Sequence, residues 1–439
     1  LLGDDRQGVL ELIALDMANG LVLMGHAAPS WTPQMTVLAR VGHPARSHLV
    51  DLDGDGLRDL LIADLGSFGA IDHNLGKVTW LRQYPAGRFT PIDLATGLPR
   101  VADVRAADFD SDGDLDLVVG AFGWRTTGGV LILEHSGRPG LPSAQSYQLR
   151  QLDQRHGAIH VAPVDLDRDG QLDFVSLIAQ EHESVVAFMG DGRLGFTART
   201  LFQAPHPCWG SSGIQLVDLD GDGDLDLTSG DVRGKPSLSK LYWFENNGKG
   251  LFERHLVSEK NPGWFERHVV GDISGDGRPD IAIVNNRDGH LLWFANNKTP
   301  ATGPWKKYLI TTNCHRAYDI VLLDIDGDGD LDAAAAGYAS NLITWFENPG
   351  PKGWDKEWER QVIGEKMSEA RVVCVGDFNL DGRPDLLAAS VGAENVPADK
   401  TAFRDHGSRL VWYENIKGKT KAPWPMHVID DRSRAQVHG

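Results

Sequence analysis

A nine-residue pattern, D-x-D-x-D-G-x-x-D, recurs seven times or nearly so, starting at Asp51, Asp108, Asp165, Asp218, Asp272, Asp324 and Asp377. The starts lie 57, 57, 53, 54, 52 and 53 residues apart, a period that belongs to stacked supersecondary units. Each unit has the same order: an apolar run ending at the motif, a second run after it, a third carrying Trp, and a fourth before the next unit. The fifth unit reads HVVGDI, PDIAIVNN, HLLWFANN and KKYLITT. Short runs rich in Val, Ile, Leu and aromatics, separated by Gly, Asn and Asp, predict a four-stranded antiparallel meander. Repeated units of this kind make an all-β propeller. The 50 glycines of the 439 residues suit an architecture with many tight turns.

The motif units begin near residues 46, 103, 159, 213, 267, 319 and 371, and one propeller domain is expected to span 1–439. Three further strand-like runs in residues 9–42, VLELIALD, GLVLMGH and MTVLARVG, lack an inner strand. The C-terminal residues 434–439 align with the missing one, so eight blades are expected, with the C-terminus closing the ring and removing an exposed sheet edge. Seven blades with an N-terminal extension is the alternative. The joined closing loop lacks acids at the first and fifth positions, so it is expected to bind no metal.

Alternate positions of a tight loop converge, and carboxylates at positions 1, 3, 5 and 9 make an all-oxygen site of the kind Ca²⁺ prefers, with Gly at position 6 for the turn. Full quartets stand at Asp51, Asp53, Asp55 and Asp59; Asp108, Asp110, Asp112 and Asp116; Asp165, Asp167, Asp169 and Asp173; Asp218, Asp220, Asp222 and Asp226; and Asp324, Asp326, Asp328 and Asp332. Ser274 replaces the third acid beside Asp272, Asp276 and Asp280, and Asn379 does so beside Asp377, Asp381 and Asp385. Each keeps an oxygen. An EF-hand would need Glu at position 12, where the chain has Ile62, Val119, Ser176, Ser229, Ile283, Ala335 and Ala388. About seven Ca²⁺ per chain are expected, without haem or nucleotide. The three cysteines, Cys208, Cys314 and Cys374, form no zinc or c-type haem pattern.

The segments DLDGDGLRDLLIAD, AADFDSDGDLDLVVGAFG and LVDLDGDGDLDLTSG resemble the FG-GAP/VCBS repeats of integrin-α-like propellers. That resemblance covers essentially the whole chain. It implies calcium loops on one face and ligand recognition on the other, in a family with adhesive, lectin-like and enzymatic members, some of them polysaccharide lyases.

The face opposite the motifs is built from loops between second and third strands and from interblade connections. Candidate ligand-binding residues there are Trp124, Arg125, Glu181, His182, His206, Trp209, Arg316 and Tyr318, with Trp264 a further stacking platform, and AENVPADKTAFRDHGS is a long insertion that covers part of this face. Five positions before each motif stand Arg46, Asp103, His160, Gly213, Arg267, Asp319 and Val372, expected as a mixed-charge ring at the channel. The leading expectation is a binding or scaffold module for a glycan or protein. The enzyme alternative is a lyase on an acidic, uronate-containing glycan, with His160 or His182 as base, Tyr318 as acid and Arg267 or Arg316 neutralising the uronate. Trp80, Trp243, Trp293, Trp345 and Trp412 share one repeat position and are expected in the core.

With 61 acids against 43 Lys plus Arg the chain carries a formal −18, which disfavours nucleic acid, and no apolar run is long enough to span a membrane. Yet 26 of the acids are motif ligand positions, so much of the charge belongs to the metal loops. The chain starts at Leu1 with no signal-like stretch and is expected to be a mature or trimmed form working outside the cytoplasm, extracellular, cell-surface or periplasmic.

Overall fold

The short apolar runs around each motif fold as strands, as their repeated order predicts. In the computed structural model, which describes residues 2–4, 10–26, 35–136, 142–204, 213–230, 239–261, 263–391, 409–416 and 423–430, eight sheets of four antiparallel strands follow one another along the chain. They form the eight-bladed ring. Blade one consists of Pro44–Val50, Asp59–Asp64, Gly76–Gln83 and Phe89–Leu98. The inner strands of the other motif blades are Val101–Ala107, Ala158–Val164, Gln215–Val217, Phe265–Gly271, Ala317–Leu323 and Ala370–Gly376. Among the described residues the only helices are two 3₁₀ turns, Ala144–Ser146 and Pro300–Thr302, and no helix is long and apolar enough to cross a membrane.

The core is distributed as eight apolar clusters, one between each pair of adjacent blades. Second strands of the seven motif blades are buried along their whole length, as in DLLIAD at 59–64 and DAAAAG at 332–337, because each is covered on both faces by neighbouring blades. Trp80, Trp243, Trp293, Trp345 and Trp412 are fully enclosed. Each such side chain contributes on the order of 2–3 kcal/mol relative to exposure, and together they make the interblade interface the main source of cohesion.

The eighth blade contains Leu10–Asp16, Leu21–His26 and Thr36–Arg40, as the sequence implies, with Leu2–Asp4 paired to the first of these. The C-terminal residues 434–439 expected at this place lie outside the described residues. Within them, the inner strand is a short hairpin partner from the N-terminus. Closure is nonetheless physical: Ile13, Val22 and Met24 pack with Leu60, Ile62 and Leu81 of blade one, while Leu12 packs with Phe378, Leu387 and Trp412 of blade seven.

One irregularity recurs. The register slips beside the second residue of the inner strand in six motif blades, at Pro44/Arg46, Ala158/His160, Phe265/Arg267, Ala317/Asp319, Ala370/Val372 and opposite Gly120/Ala121. A bulge bends the strand and re-aims the following side chain, which here is the residue of the expected channel ring.

Candidate functional site

In all seven motifs the position-6 glycine has a left-handed φ, from +84° to +99°, which a Cβ would strain. That conformation lets its N–H donate back to the first carboxylate: Gly56 to Asp51 at 2.9 Å, Gly113 to Asp108 at 3.1 Å, Gly170 to Asp165 at 3.2 Å, and likewise in the other four. The ninth carboxylate ties the loop to the blade. Asp226 accepts from Leu219 N at 2.9 Å and from Asn246 N at 2.8 Å, and Asp332 from Ile325 N at 3.1 Å and Asn348 N at 2.8 Å.

Carboxylates converge within five loops: Asp51, Asp53 and Asp59; Asp108, Asp110 and Asp112; Asp165, Asp167 and Asp173; Asp218, Asp220 and Asp226; Asp324, Asp326 and Asp332. Four of these groups join positions 1, 3 and 9. The expected fifth-position ligand enters only in the second loop, although there, as in the others, its oxygen also accepts the N–H two residues on, Asp55 from Leu57, Asp112 from Asp114 and Asp169 from Gln171. The loops with Ser274 and Asn379 assemble no such group among the described residues. Asn379 instead donates to Asp381 at 2.9 Å and to Glu414 at 3.3 Å.

The donor set fits a hard divalent cation. Asp51 Oδ1, Asp110 Oδ1, Asp165 Oδ1 and Asp167 Oδ1 are buried and receive no hydrogen bond, a costly state for carboxylate oxygens that a cation would relieve. Burial, aided by neighbouring loop acids, pushes Asp116, Asp226, Asp332 and Asp385 up to about 7. The first loop differs: Arg82 Nε lies 2.6 Å from Asp53 Oδ2 and its Nη2 3.7 Å from Asp55.

The FG-GAP-like repeat family matches residues 8–119, 165–229, 272–335 and 324–388, two thirds of the chain. The chain belongs to that family. No curated protein matches this FG-GAP-like chain in sequence. Among solved structures, the biofilm matrix protein Bap1 of V. cholerae is 12% identical, with a TM-score of 0.47 over 96% of this chain and 87% of that one. The periplasmic gluconolactonase of Pseudomonas aeruginosa is 18% identical, with a TM-score of 0.46 over 82% and 97%.

Opposite the loops of this FG-GAP-like propeller, arginines lie over aromatic rings. The Arg371 guanidinium is 5.1 Å from the Tyr318 ring and 5.3 Å from Tyr338, Arg287 is 5.8 Å from Trp264, Arg125 is 5.9 Å from Trp124, and Arg100 is 5.5 Å from Phe122. Asp72, from the blade-one loop, fixes the neighbouring loop by accepting from Arg125 N, Thr126 N and Thr127 N at 3.0–3.1 Å and from Thr127 Oγ1 at 2.8 Å. Partial burial raises its carboxyl, but the four donors outweigh this and hold it well below the usual carboxylate range.

The expected lyase residues come from blades three, five and six, and the Arg267 guanidinium is near enough to His160 to act on its charge. His160 Nδ1 accepts from Arg46 at 2.9 Å, His182 lies edge-on to His156 with ring centres 4.6 Å apart, Tyr318 tilts against Tyr338 at 6.1 Å, and Arg267 pairs with Asp319 at 3.3 Å. Glu181 and Arg316 are exposed, with left-handed φ of +62° and +48°. His206, Cys208, Trp209 and the insertion at 392–408 lie outside the described residues.

Sequence reasoning passed over four asparagines. Asn246, Asn296, Asn348 and Asn415 each donate to a carbonyl in the preceding blade's Asp loop and to one in their own. Their signal was present: each ends a WFEN, WFAN or WYEN run.

Proposed function

We propose that this chain is a calcium-stabilised binding or scaffold module, working outside the cytoplasm, that presents the face opposite its Asp loops to an anionic glycan or an acidic protein surface. The observation that carries this reading is the recurrence of arginine–aromatic pairs there, at Trp124, Trp264 and Tyr318 with Tyr338. Aromatic faces stack on sugar rings or anchor a protein partner. Guanidinium groups held over them pair with carboxylates and sulfates. The 26 acids of the motif positions lie at the other end of the blades, so an anionic ligand meets these arginines without crossing the Asp loops.

Calcium is the cation proposed for the loops, held by the converging carboxylates of Asp51, Asp108, Asp165, Asp218 and Asp324 and their partners. When bound it supplies charge neutralisation and stiffens the loop, a structural service. Magnesium retains its waters and seldom uses all-protein cages.

The test is binding to an array of acidic and neutral glycans, together with a pull-down of proteins, using the calcium-loaded chain and the variants Trp264→Ala and Arg371→Ala. A ligand whose affinity falls about tenfold or more in either variant supports the reading. The reading is dropped if no glycan or protein is retained, or if both variants bind as well as the parent. Release of unsaturated uronate products, lost in His160→Ala, would replace it with the lyase alternative.

A further inference from the structure

Three arginines and two carboxylates stand at the same end of the inner strands, Arg46 and Arg105 on Asp103 and Arg267 on Asp319, and the Arg267 charge reaches Arg46 and His160. Arg46, Asp103, His160, Arg267 and Asp319 are the third residues of the inner strands of blades one, two, three, five and six, each beside the recurrent register slip. His48 and Arg105 follow two residues further along their strands. Arg46 Nη1 is 3.8 Å from Asp103 and crosses to His160 Nδ1 at 2.9 Å, two blades away. Arg105 Nε is 3.3 Å from the same Asp103, and its Nη1 is 3.4 Å from His48 Nδ1. Arg267 Nε is 3.3 Å from Asp319.

Both carboxylates have further partners in the backbone. Asp103 accepts from Val104 N at 3.0 Å and Val161 N at 3.2 Å, and Asp319 from Ile320 N at 3.1 Å and Val373 N at 3.2 Å. Each acid therefore staples its blade to the next rather than serving its arginine alone. His160 takes a guanidinium hydrogen bond on Nδ1, so its own proton sits on Nε2 and is a donor. Burial, then Arg46, Arg267 and Arg105, keep this imidazole neutral. The cluster thus sets three guanidinium charges against two carboxylates, while Arg46, His160 and Arg267 keep 29%, 25% and 41% of their side-chain exposure. Water can reach them, and so can a small solute.

We propose that the channel mouth is a binding site for one small oxyanion, a phosphate or the carboxylate of an acidic sugar or side chain, held by Arg46, Arg105, Arg267 and the Nε2–H of His160. Converging guanidiniums match the paired oxygens of such groups. The site is independent of the arginine–aromatic face and stands or falls separately from it.

Isothermal titration of the whole chain with inorganic phosphate, and separately with glucuronate, tests it. One-to-one saturation is expected with at least one of them, weakened about tenfold or more in Arg46→Gln and in Arg267→Gln. Binding of phosphate alone identifies a free phosphate as the source; binding of glucuronate identifies a carboxylate-bearing ligand. Arg105→Gln serves as a second variant should Arg46→Gln fail to fold by circular dichroism. The proposal is overturned if neither anion saturates below about 10 mM. It is equally overturned if these variants bind like the parent, or if Lys77→Gln, which removes a surface charge paired with Asp93, weakens binding as much.

Discussion

Asn415 of blade seven donates its side-chain Nδ2–H to the carbonyl of Ile325, 2.8 Å away in the Asp loop of blade six and 90 residues earlier in the chain. The same amide reaches Pro384 O at 3.1 Å, and the Asn415 backbone N–H gives to Asp385 at 2.8 Å. One residue thereby joins two adjacent loops. Removing it leaves buried acceptors without a donor, so Asn415→Ala or Asn296→Ala is expected to lower stability by about 1–3 kcal/mol. Gln83, at the corresponding place in blade one, uses its side chain only within its own blade, donating to Arg58 O at 3.1 Å and accepting from Gly87 N at 3.4 Å, and Gln83→Ala should stay within about 0.5 kcal/mol. Urea unfolding of the three variants checks the contrast.

Calcium removal should lower the melting temperature markedly. An ion that binds only the folded chain stabilises it by mass action, and here it also relieves the buried carboxylate oxygens of Asp51, Asp110, Asp165 and Asp167. Thermal unfolding with calcium and with excess chelator measures the difference. Unchanged melting would exclude a structural cation.

The first loop should be the odd one. Arg82, 2.6 Å from Asp53 and lying over Tyr84 at 4.6 Å, puts its positive charge on a third-position carboxylate, whereas Arg278 and Arg383 of the fifth and seventh loops pair with the fifth-position acids Asp276 and Asp381. Arg82→Ala is expected to tighten calcium binding at this loop by about tenfold, from loss of a competing cation. Calcium titration of parent and variant reads this out, and a weaker first site in the variant would contradict it.

Acid sensitivity should trace in part to the channel. Burial holds His160 at about 3 and, with Arg105, His48 at about 4, both below the ordinary value of 6.5. The unfolded chain therefore binds more protons than the folded one between these limits, and stability falls as pH drops from 6.5 towards 4. The raised carboxyls of the Asp loops act in the opposite sense when metal-free, so the comparison belongs in calcium. His48→Gln should flatten the slope of unfolding free energy against pH in that window.

The loop at 124–127 should loosen without Asp72. Its one oxygen accepts three consecutive backbone N–H groups across the blade boundary. Asp72→Ala is expected to speed amide exchange at Arg125–Thr127 by about tenfold or more while the core strands keep their protection.

The blade count, the strand order, the seven loops and the buried tryptophans could all be read from local pattern, because each blade folds from one contiguous stretch and repeats its spacing. The sidedness of the motifs followed from the meander. The shared inner-strand position of Arg46, Asp103, His160, Arg267, Asp319 and Val372 was legible too, since each stands at a constant distance from its motif. The closing strand was harder: a three-residue pairing at Leu2–Asp4 leaves no period to recognise.

Contacts between blades were hidden for a different reason. Asn415 with Ile325, Arg46 with His160 and Asp72 with Arg125 join residues 53 to 114 positions apart, and a side chain that reaches a neighbouring repeat leaves no trace in its own repeat's hydrophobic pattern. The amino-acid order set the repeat and what each loop contains. Closing the repeats into a ring then decided which arginines share an acid and which side chains of separate blades meet, because those outcomes depend on the curvature and packing between blades rather than on the chemistry within one.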